Sequence, residues 1–213
     1  GGEGSMYSNI NDDQTWGLIF YDPNFETPSW HQNAVGYQIF PERFYNGDPT
    51  NDPIGDGSSG DKMWFAWDQD GDNFQDETET TTYVNKREWS ETNPGASDFY
   101  GGDLKGVEEK VDYLTDLGID FIWFNPFTES PDNHGYAVDN YTSIDPYFGK
   151  IAYRNDGVVY NDIEASLEVY ENMTATLAAN GIRPFYDAVV NHASAQSVYM
   201  QRFETQFGMP DLY

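Results

Sequence analysis

The 213-residue chain carries 37 Asp and Glu against 10 Lys and Arg, a formal net charge of −27. Such a field repels nucleic acid and anionic membranes; it suits cations, neutral ligands and high salt, and an ordinary solvated acidic surface fits the same count as a halophilic one. Hydrophobic residues at 38%, with 17% aromatic, argue against disorder, and the absence of cysteine excludes disulfides and thiol chemistry while leaving the compartment open.

No signal peptide is visible, and residues 1–5 read as a linker remnant. Residues 6–33 hold one short apolar run at 16–21, followed by the turn-rich DPNFETPSWHQN. Residues 34–40 (AVGYQIF) form a strand ended by Pro41. Residues 47–100 are a long polar insertion of Gly, Asp, Asn, Ser and Thr, with candidate short strands at 63–67 and 81–84. The organising unit is 101–149. After a Gly-rich turn, Leu104, Val107, Val111, Leu114 and Leu117 recur at helical spacing, with Lys105, Glu108, Glu109 and Asp112 on the other face. Gly118 stands where a helix wants a left-handed C-terminal residue. Ile119, Phe121, Ile122, Trp123 and Phe124 make a near-continuous apolar strand, as expected when both faces are covered, and Asn125-Pro126 stops it before a long aromatic, polar loop.

Residues 150–161 read as a loop and 162–180 as a helix. Ile163, Leu167, Tyr170, Met173 and Leu177 line its apolar face, Asn161 or Asp162 caps it and Gly181 ends it. Residues 182–190 are the third strand; 193–213 are irregular or helical. No run approaches the ~18 apolar residues of a membrane span. Strands alternating with helices predict an α/β fold with a parallel sheet, whose sites form beyond the C-terminal strand ends.

Three stretches carry chemistry. Asn46, Asp48, Asn51 and Asp52 place four oxygen-bearing side chains in one tight loop. Calcium takes such a mixture of carboxylates, amides and carbonyls, and an Asx-turn loop uses the same residues. Asp68, Asp70, Asp72 and Asp76 alternate around a Gly and read either as a second calcium loop or as a solvated acidic loop; the Gly position departs from EF-hand spacing. Tyr136 and Tyr141 flank a polar loop, suited to stacking on a pyranose or to plain packing. Asp187, Asn191 and His192 stand at the C-terminal end of the third strand, where barrels carry their sites.

GDLKGVEEKVDYLTDLGI, IWFNPF, SP, HGY, DNY and IDPYFG, in that order, resemble the second barrel strand and following loop of the α-amylase family of glycoside hydrolases. The nearest branch is that of neopullulanase, cyclomaltodextrinase and maltogenic amylase. PERFYNGDPTND resembles the family's first-strand motif, in which an acidic residue and an Arg precede Phe and an Asn-Gly-Asp loop. The resemblance implies a TIM (β/α)8 barrel with only its first three β/α units in this chain. Residues 34–192 then supply those units, with the insertion at 47–100. Residues 1–33 are the lead-in after a missing N-terminal domain, and 193–213 begin the loop region after strand three, truncated before strand four. Met209 to Tyr213 resembles a Pro-Asp-Leu motif, with Tyr213 replacing the usual Asn or Asp.

The resemblance also implies roles. Calcium is expected on Asn46, Asp48, Asn51, Asp52, the Gly101 carbonyl and Asp103, stapling the first-strand loop to the next helix. A competing, second-ranked reading gives a calcium to Asn191. Tyr136 is expected as the stacking platform under the sugar whose bond is cleaved, with His134 nearby, although Ala137 departs from the family's acidic or larger residue. His192 is expected to contact the same sugar and Asp187 to orient its neighbours. A retaining glycosidase needs two carboxyl groups about 5–5.5 Å apart. The family's nucleophile Asp, acid/base Glu and helper Asp follow strands four, five and seven, and none of those motifs occurs here. The chain is therefore expected to be inactive alone and to need the remainder of its barrel. The whole enzyme is expected to act on starch, maltodextrin, pullulan or cyclodextrin. No nucleic acid or membrane partner is expected, and an extracellular or periplasmic location ranks ahead of a cytoplasmic one. A calcium-dependent sugar-binding module without chemistry and a calcium-stabilised structural domain are the alternatives.

Overall fold

The structure, a computed structural model, describes residues 22, 24–52, 85–86, 98–153, 159–194, 197 and 199. The apolar run at 16–21, the candidate strands at 63–67 and 81–84, the acidic run Asp68, Asp70, Asp72 and Asp76, and Met209 to Tyr213 lie outside the described residues. The chain divides into two compact units, Gly1–Asn33 and Ala34–Tyr213. In the first, the Asp22 carboxylate accepts the Asn24 N–H at 2.9 Å and the Pro28 carbonyl accepts the His31 N–H at 2.9 Å, two local turns of the kind Asp and Pro favour.

The second unit is built on three parallel strands, β1 (Gly36–Ile39), β4 (Phe121–Phe124) and β9 (Arg183–Tyr186), in the order β1-β4-β9. Ile39, Phe124 and Tyr186 stand in register, so the three C-terminal ends finish flush. At the start of β1, a Cβ in place of Gly36's hydrogen would run into the Phe121 ring, which would have to move aside. Between the first two strands the chain carries β2 (Asn85–Lys86), paired in parallel with β3 (Asp98–Phe99), and then the helices α1 (Leu104–Glu109) and α2 (Val111–Asp116).

The single helix expected over 104–117 is thus two, broken at Lys110. Gly106 packs against the Tyr45 carbonyl and the Gly47 backbone, and the Lys110 ammonium sits 3.8 Å from the Tyr45 ring centroid. α1 is pinned to the first-strand loop, while α2 follows the strand. Leu104, Val107 and Leu114 reach the core, but Leu117, expected there, is half-exposed beyond the bend. Gly118, at φ 78°, stops α2: its N–H bonds Thr115 at 2.9 Å and the Ile119 N–H reaches back to Leu114 at 3.2 Å. Gly181, at φ 77°, ends α3 (Ile163–Ala179) with the same pair of bonds.

α3 is capped by Asp162, whose Oδ1 accepts the Ala165 N–H at 3.1 Å. Its buried face runs through Ser166, Met173 and Leu177, with Tyr170 partly covered. Leu167, expected inward, is exposed; the inward position of this turn is held by Ser166, packed so closely on Gly149 that a Cβ there would strike it. Within 150–161, expected to be a loop, β7 (Ile151–Tyr153) pairs antiparallel with β8 (Val159–Asn161). The loop after β4 holds a second antiparallel pair, β5 (Thr128–Glu129) with β6 (Asn140–Ile144).

The core joins Ile39, Ile122 and Phe124 to the helical Leu104, Val107, Leu114, Met173 and Leu177, sealed by Phe127 and Phe148. The alternate face of the sheet differs from expectation. Trp123 is 45% exposed and Phe185 38%. Among the described residues, only the β4 face bearing Ile122 and Phe124 is fully buried. No described helix is long and apolar enough to cross a membrane.

Candidate functional site

Flush strand ends place the residues that follow them on one rim. Asn125 donates its backbone N–H to Ile39 at 2.9 Å and Asp187 donates to Phe124 at 3.1 Å, so the ladders continue one step past the strands. Across the rim the Gln38 amide donates to Asn125 Oδ1 at 2.8 Å. Beyond Pro126 the chain returns at Gly135, whose positive φ of 79° and close approach to the Pro126 carbonyl exclude a side chain. That turn delivers His134 and Tyr136 to the rim.

The Tyr136 hydroxyl donates to Asp187 Oδ2 at 2.7 Å. His192 Nε2 lies 3.0 Å from the Tyr136 carbonyl, which can only accept; Nε2 therefore carries the proton and Nδ1 faces the Asn191 amide at 3.3 Å. The Tyr141 hydroxyl donates to the His192 carbonyl at 2.5 Å. His134 Nδ1 accepts the Tyr136 N–H at 3.1 Å, and its exposed ring lies 5.8 Å from the Tyr136 ring. The four residues singled out for this rim, Tyr136, His134, Asp187 and His192, thus form one hydrogen-bonded group drawn from two loops. Burial, reinforced by Asp187, pushes the Tyr136 hydroxyl up to about 12, which keeps it a neutral donor. An aromatic ring beside fixed donors and acceptors suits an uncharged polyhydroxy ring.

A second cluster lies in the loop after β1. Asp103, fully buried, accepts N–H groups from Gly47, Asp48 (2.8 Å) and Gly106 (2.5 Å), capping α1 and tying it to the loop. Burial pushes its carboxyl up to about 6 despite these three donors. The Asn46 amide donates to Asp52 Oδ1 at 2.6 Å, and Gly101, at φ 79°, lies against both. Asn51 donates to the Gly149 carbonyl at 3.0 Å. Burial opposes ionisation of Asp48, but Lys150 and Thr50 outweigh it and hold its carboxyl below the ordinary value.

Asn46 Oδ1 and Asn51 Oδ1 are buried and accept no hydrogen bond. Two unmatched amide oxygens beside the Asp48, Asp52 and Asp103 carboxylates fit a hard, oxygen-seeking cation better than they fit this polar loop alone. No group of three or more His, Asp or Glu among the described residues is gathered tightly enough to hold a metal by itself, so the amides and the Gly101 carbonyl are integral to any such site.

Sequence reasoning missed the residues joining the two clusters. Glu42, 1% exposed, accepts the backbone N–H groups of Tyr100 and Gly101, the latter at 3.1 Å, and pairs with Arg43 at 2.7 Å. Burial pushes its carboxyl up to about 7. Arg43 also donates to the Asp98 carbonyl at 2.7 Å, which accepts from buried Asn133 at 2.9 Å as well. PERF after a strand was the available signal for Glu42 and Arg43. Backbone carbonyls such as that of Asp98 give none. Burial pushes the Asp139 carboxyl up to about 7, and burial likewise raises fully buried Asp145 well above the ordinary carboxylate value.

The alpha-amylase catalytic domain matches residues 38–211 of the sequence. The chain belongs to the α-amylase family. Its relatives include an amylopullulanase of Thermoanaerobacterium saccharolyticum, 38% identical over 95% of this chain but only 14% of that protein. Neopullulanase 2 of Thermoactinomyces vulgaris is 35% identical over 81% of this chain and 22% of its own. Among solved structures, the ligand-free cyclic α-maltosyl-(1→6)-maltose hydrolase of Arthrobacter globiformis superposes with a TM-score of 0.61 at 29% identity, over 86% of this chain and 31% of that one. The chain thus spans well under a third of the curated relatives it matches. In α-amylase-family terms, β1, β4 and β9 are three consecutive strands of a partial (β/α)8 barrel.

Proposed function

We propose that the chain supplies the first three β/α units of a retaining α-glucan hydrolase acting on starch, maltodextrin, pullulan or cyclodextrin. The observation that carries this reading is the Tyr136–Asp187–His192 group on the common rim of three barrel strands. In it the Tyr136 ring stacks under a glucose unit, and Asp187 fixes the ring by holding its hydroxyl. His192 and His134 border the same space and offer hydrogen bonds to sugar hydroxyls. The nucleophile and acid/base carboxylates come from barrel units outside this sequence. Names of relatives support the substrate class: amylopullulanase, neopullulanase and cyclomaltodextrinase.

Calcium bound by Asn46, Asp48, Asn51, Asp52, the Gly101 carbonyl and Asp103 would supply fixed positive charge to a buried acidic loop. The chain's own part is to hold those oxygens in place: Asp103 through three backbone N–H groups, Gly101 through Glu42. A calcium-held fold suits an extracellular or periplasmic setting, where the ion is abundant.

Calorimetry of the chain with maltotriose and with calcium tests the binding half of this reading. Both are expected to bind, and Tyr136→Ala is expected to weaken the sugar alone. The same substitution in a protein bearing the complete barrel tests the catalytic half by turnover of maltodextrin. Sugar binding without turnover by that protein would favour the binding-module alternative.

A further inference from the structure

The geometry points to a coupling between the oxygen-lined cradle and the Tyr136 platform, carried by Arg43 and Asn133 through the Asp98 carbonyl. The inference rests on the sugar-binding reading above and assigns positioning roles to residues that neither cluster contains.

One short segment, 98–103, serves both sides. At its C-terminal end, Gly101 and Asp103 belong to the cradle. In its middle, Glu42 grips the Tyr100 and Gly101 N–H groups, and the Gly102 N–H returns to the Glu42 carbonyl at 2.9 Å. A side chain at Gly102 would collide with the Pro41 and Glu42 carbonyls, so the two strands of chain are in direct backbone contact. At its N-terminal end, the Asp98 carbonyl receives Arg43 at 2.7 Å and Asn133 at 2.9 Å. The Arg43 guanidinium is further fixed by Glu42 at 2.7 Å and by the Tyr100 ring, 4.8 Å from its centroid. Asn133 immediately precedes His134, Gly135 and Tyr136. Glu42, Asp98 and Asn133 are each at most 4% exposed, so these bonds are shielded from competing water.

A coupling needs two states with different contacts. In one, the amide oxygens of Asn46 and Asn51 lack donors. In the other, a cation engages them together with the Gly101 carbonyl, which fixes the peptide that Glu42 also holds. Tightening at Gly101 is then passed along buried hydrogen bonds to Asn133 and to the turn that aims Tyr136. Cation binding lowers the ordering cost of the platform, and sugar binding is strengthened by that amount.

The test titrates the full chain with maltotriose in calcium and in chelator, as wild type and as Asn133→Leu. Calcium is expected to tighten maltotriose binding about threefold or more, and maltotriose to tighten calcium by the same factor. Asn133→Leu should erase both factors while leaving calcium affinity without sugar within about twofold of wild type. Arg43→Met, at the other donor to Asp98, should reduce the same ratio. Calcium-independent sugar binding by the wild type, or an undiminished ratio in Asn133→Leu, overturns the coupling alone. No maltotriose binding at any calcium concentration overturns the sugar-site reading with it. Should Asn133→Leu fail to fold, amide exchange in the wild type decides. Calcium without sugar must slow exchange at Gly135 and Tyr136, and unchanged exchange rejects the strut.

Discussion

At Tyr136 the ring and the hydroxyl do separable work. Tyr136→Phe keeps the stacking face and removes the 2.7 Å bond to Asp187, so it should weaken maltotriose binding only modestly. Tyr136→Ala removes the face as well, and about 1 kcal/mol of aromatic contact corresponds to roughly a fivefold further loss in affinity. Calorimetry on both variants separates the contributions; equal losses would show that the hydroxyl alone matters. Asp103 illustrates the opposite case, one carboxylate with several duties. Asp103→Ala strips the cap from α1 and leaves the N–H groups of Gly47, Asp48 and Gly106 unmatched. Cap loss alone costs about 1–2 kcal/mol, and urea denaturation should show at least that.

Among the elements, α1 is placed by a close backbone contact at Gly106 as well as by its buried Leu104 and Val107. Gly106→Ala would gain about 1 kcal/mol from helix propensity, yet its Cβ would strike the Tyr45 carbonyl. A carbonyl cannot swing aside as a flexible side chain can, so a net loss of about 1–3 kcal/mol is expected in equilibrium unfolding. This contact also explains what the sequence could and could not disclose. Helical spacing identified Leu104, Val107 and Leu114, because periodicity records a shared buried face. It misplaced Leu117 and Leu167, whose burial depends on a bend at Lys110 and on the Gly149 backbone, both tertiary facts. The glycines at 118 and 181 were readable because a left-handed helix exit is a local requirement. At the rim, strand ends and motif order located Tyr136, His134, Asp187 and His192. Asn133 and Glu42 act on main-chain groups far away in sequence, and no local pattern encodes such a partner. The β5–β6 and β7–β8 pairs were missed because β5 and β6 are largely polar and β7 and β8 are three residues each, too short to show an alternating apolar repeat.

For the whole molecule, buried carboxyls set the direction of the pH response. Burial raises Glu42 and Asp139 to about 7 from ordinary values of 4.5 and 3.8. Between those limits the native chain holds protons that the unfolded chain has released. The stability these groups contribute is full below about pH 4 and is lost as pH rises through 7. In chelator, the thermal midpoint should therefore be higher at pH 5 than at pH 8, and Glu42→Gln should flatten the difference. A midpoint that rises over this interval would contradict the assignment. Net charge of −27 acts in the same direction, since each proton released adds to the repulsion. Salt should raise the midpoint at pH 8 and, by screening that repulsion, promote association through the partly exposed Trp123 and Phe185. Light scattering in low and high salt checks both effects.

The helix exits at Gly118 and Gly181 have a practical corollary. Each precedes its strand at the end opposite the rim, about 13 Å away for a four-residue strand, and an added Cβ at either meets nothing within 4 Å. Replacing either glycine would strain its left-handed backbone, so a tag or fluorophore belongs on a residue inserted at these two corners, where the mouth of the barrel keeps its shape.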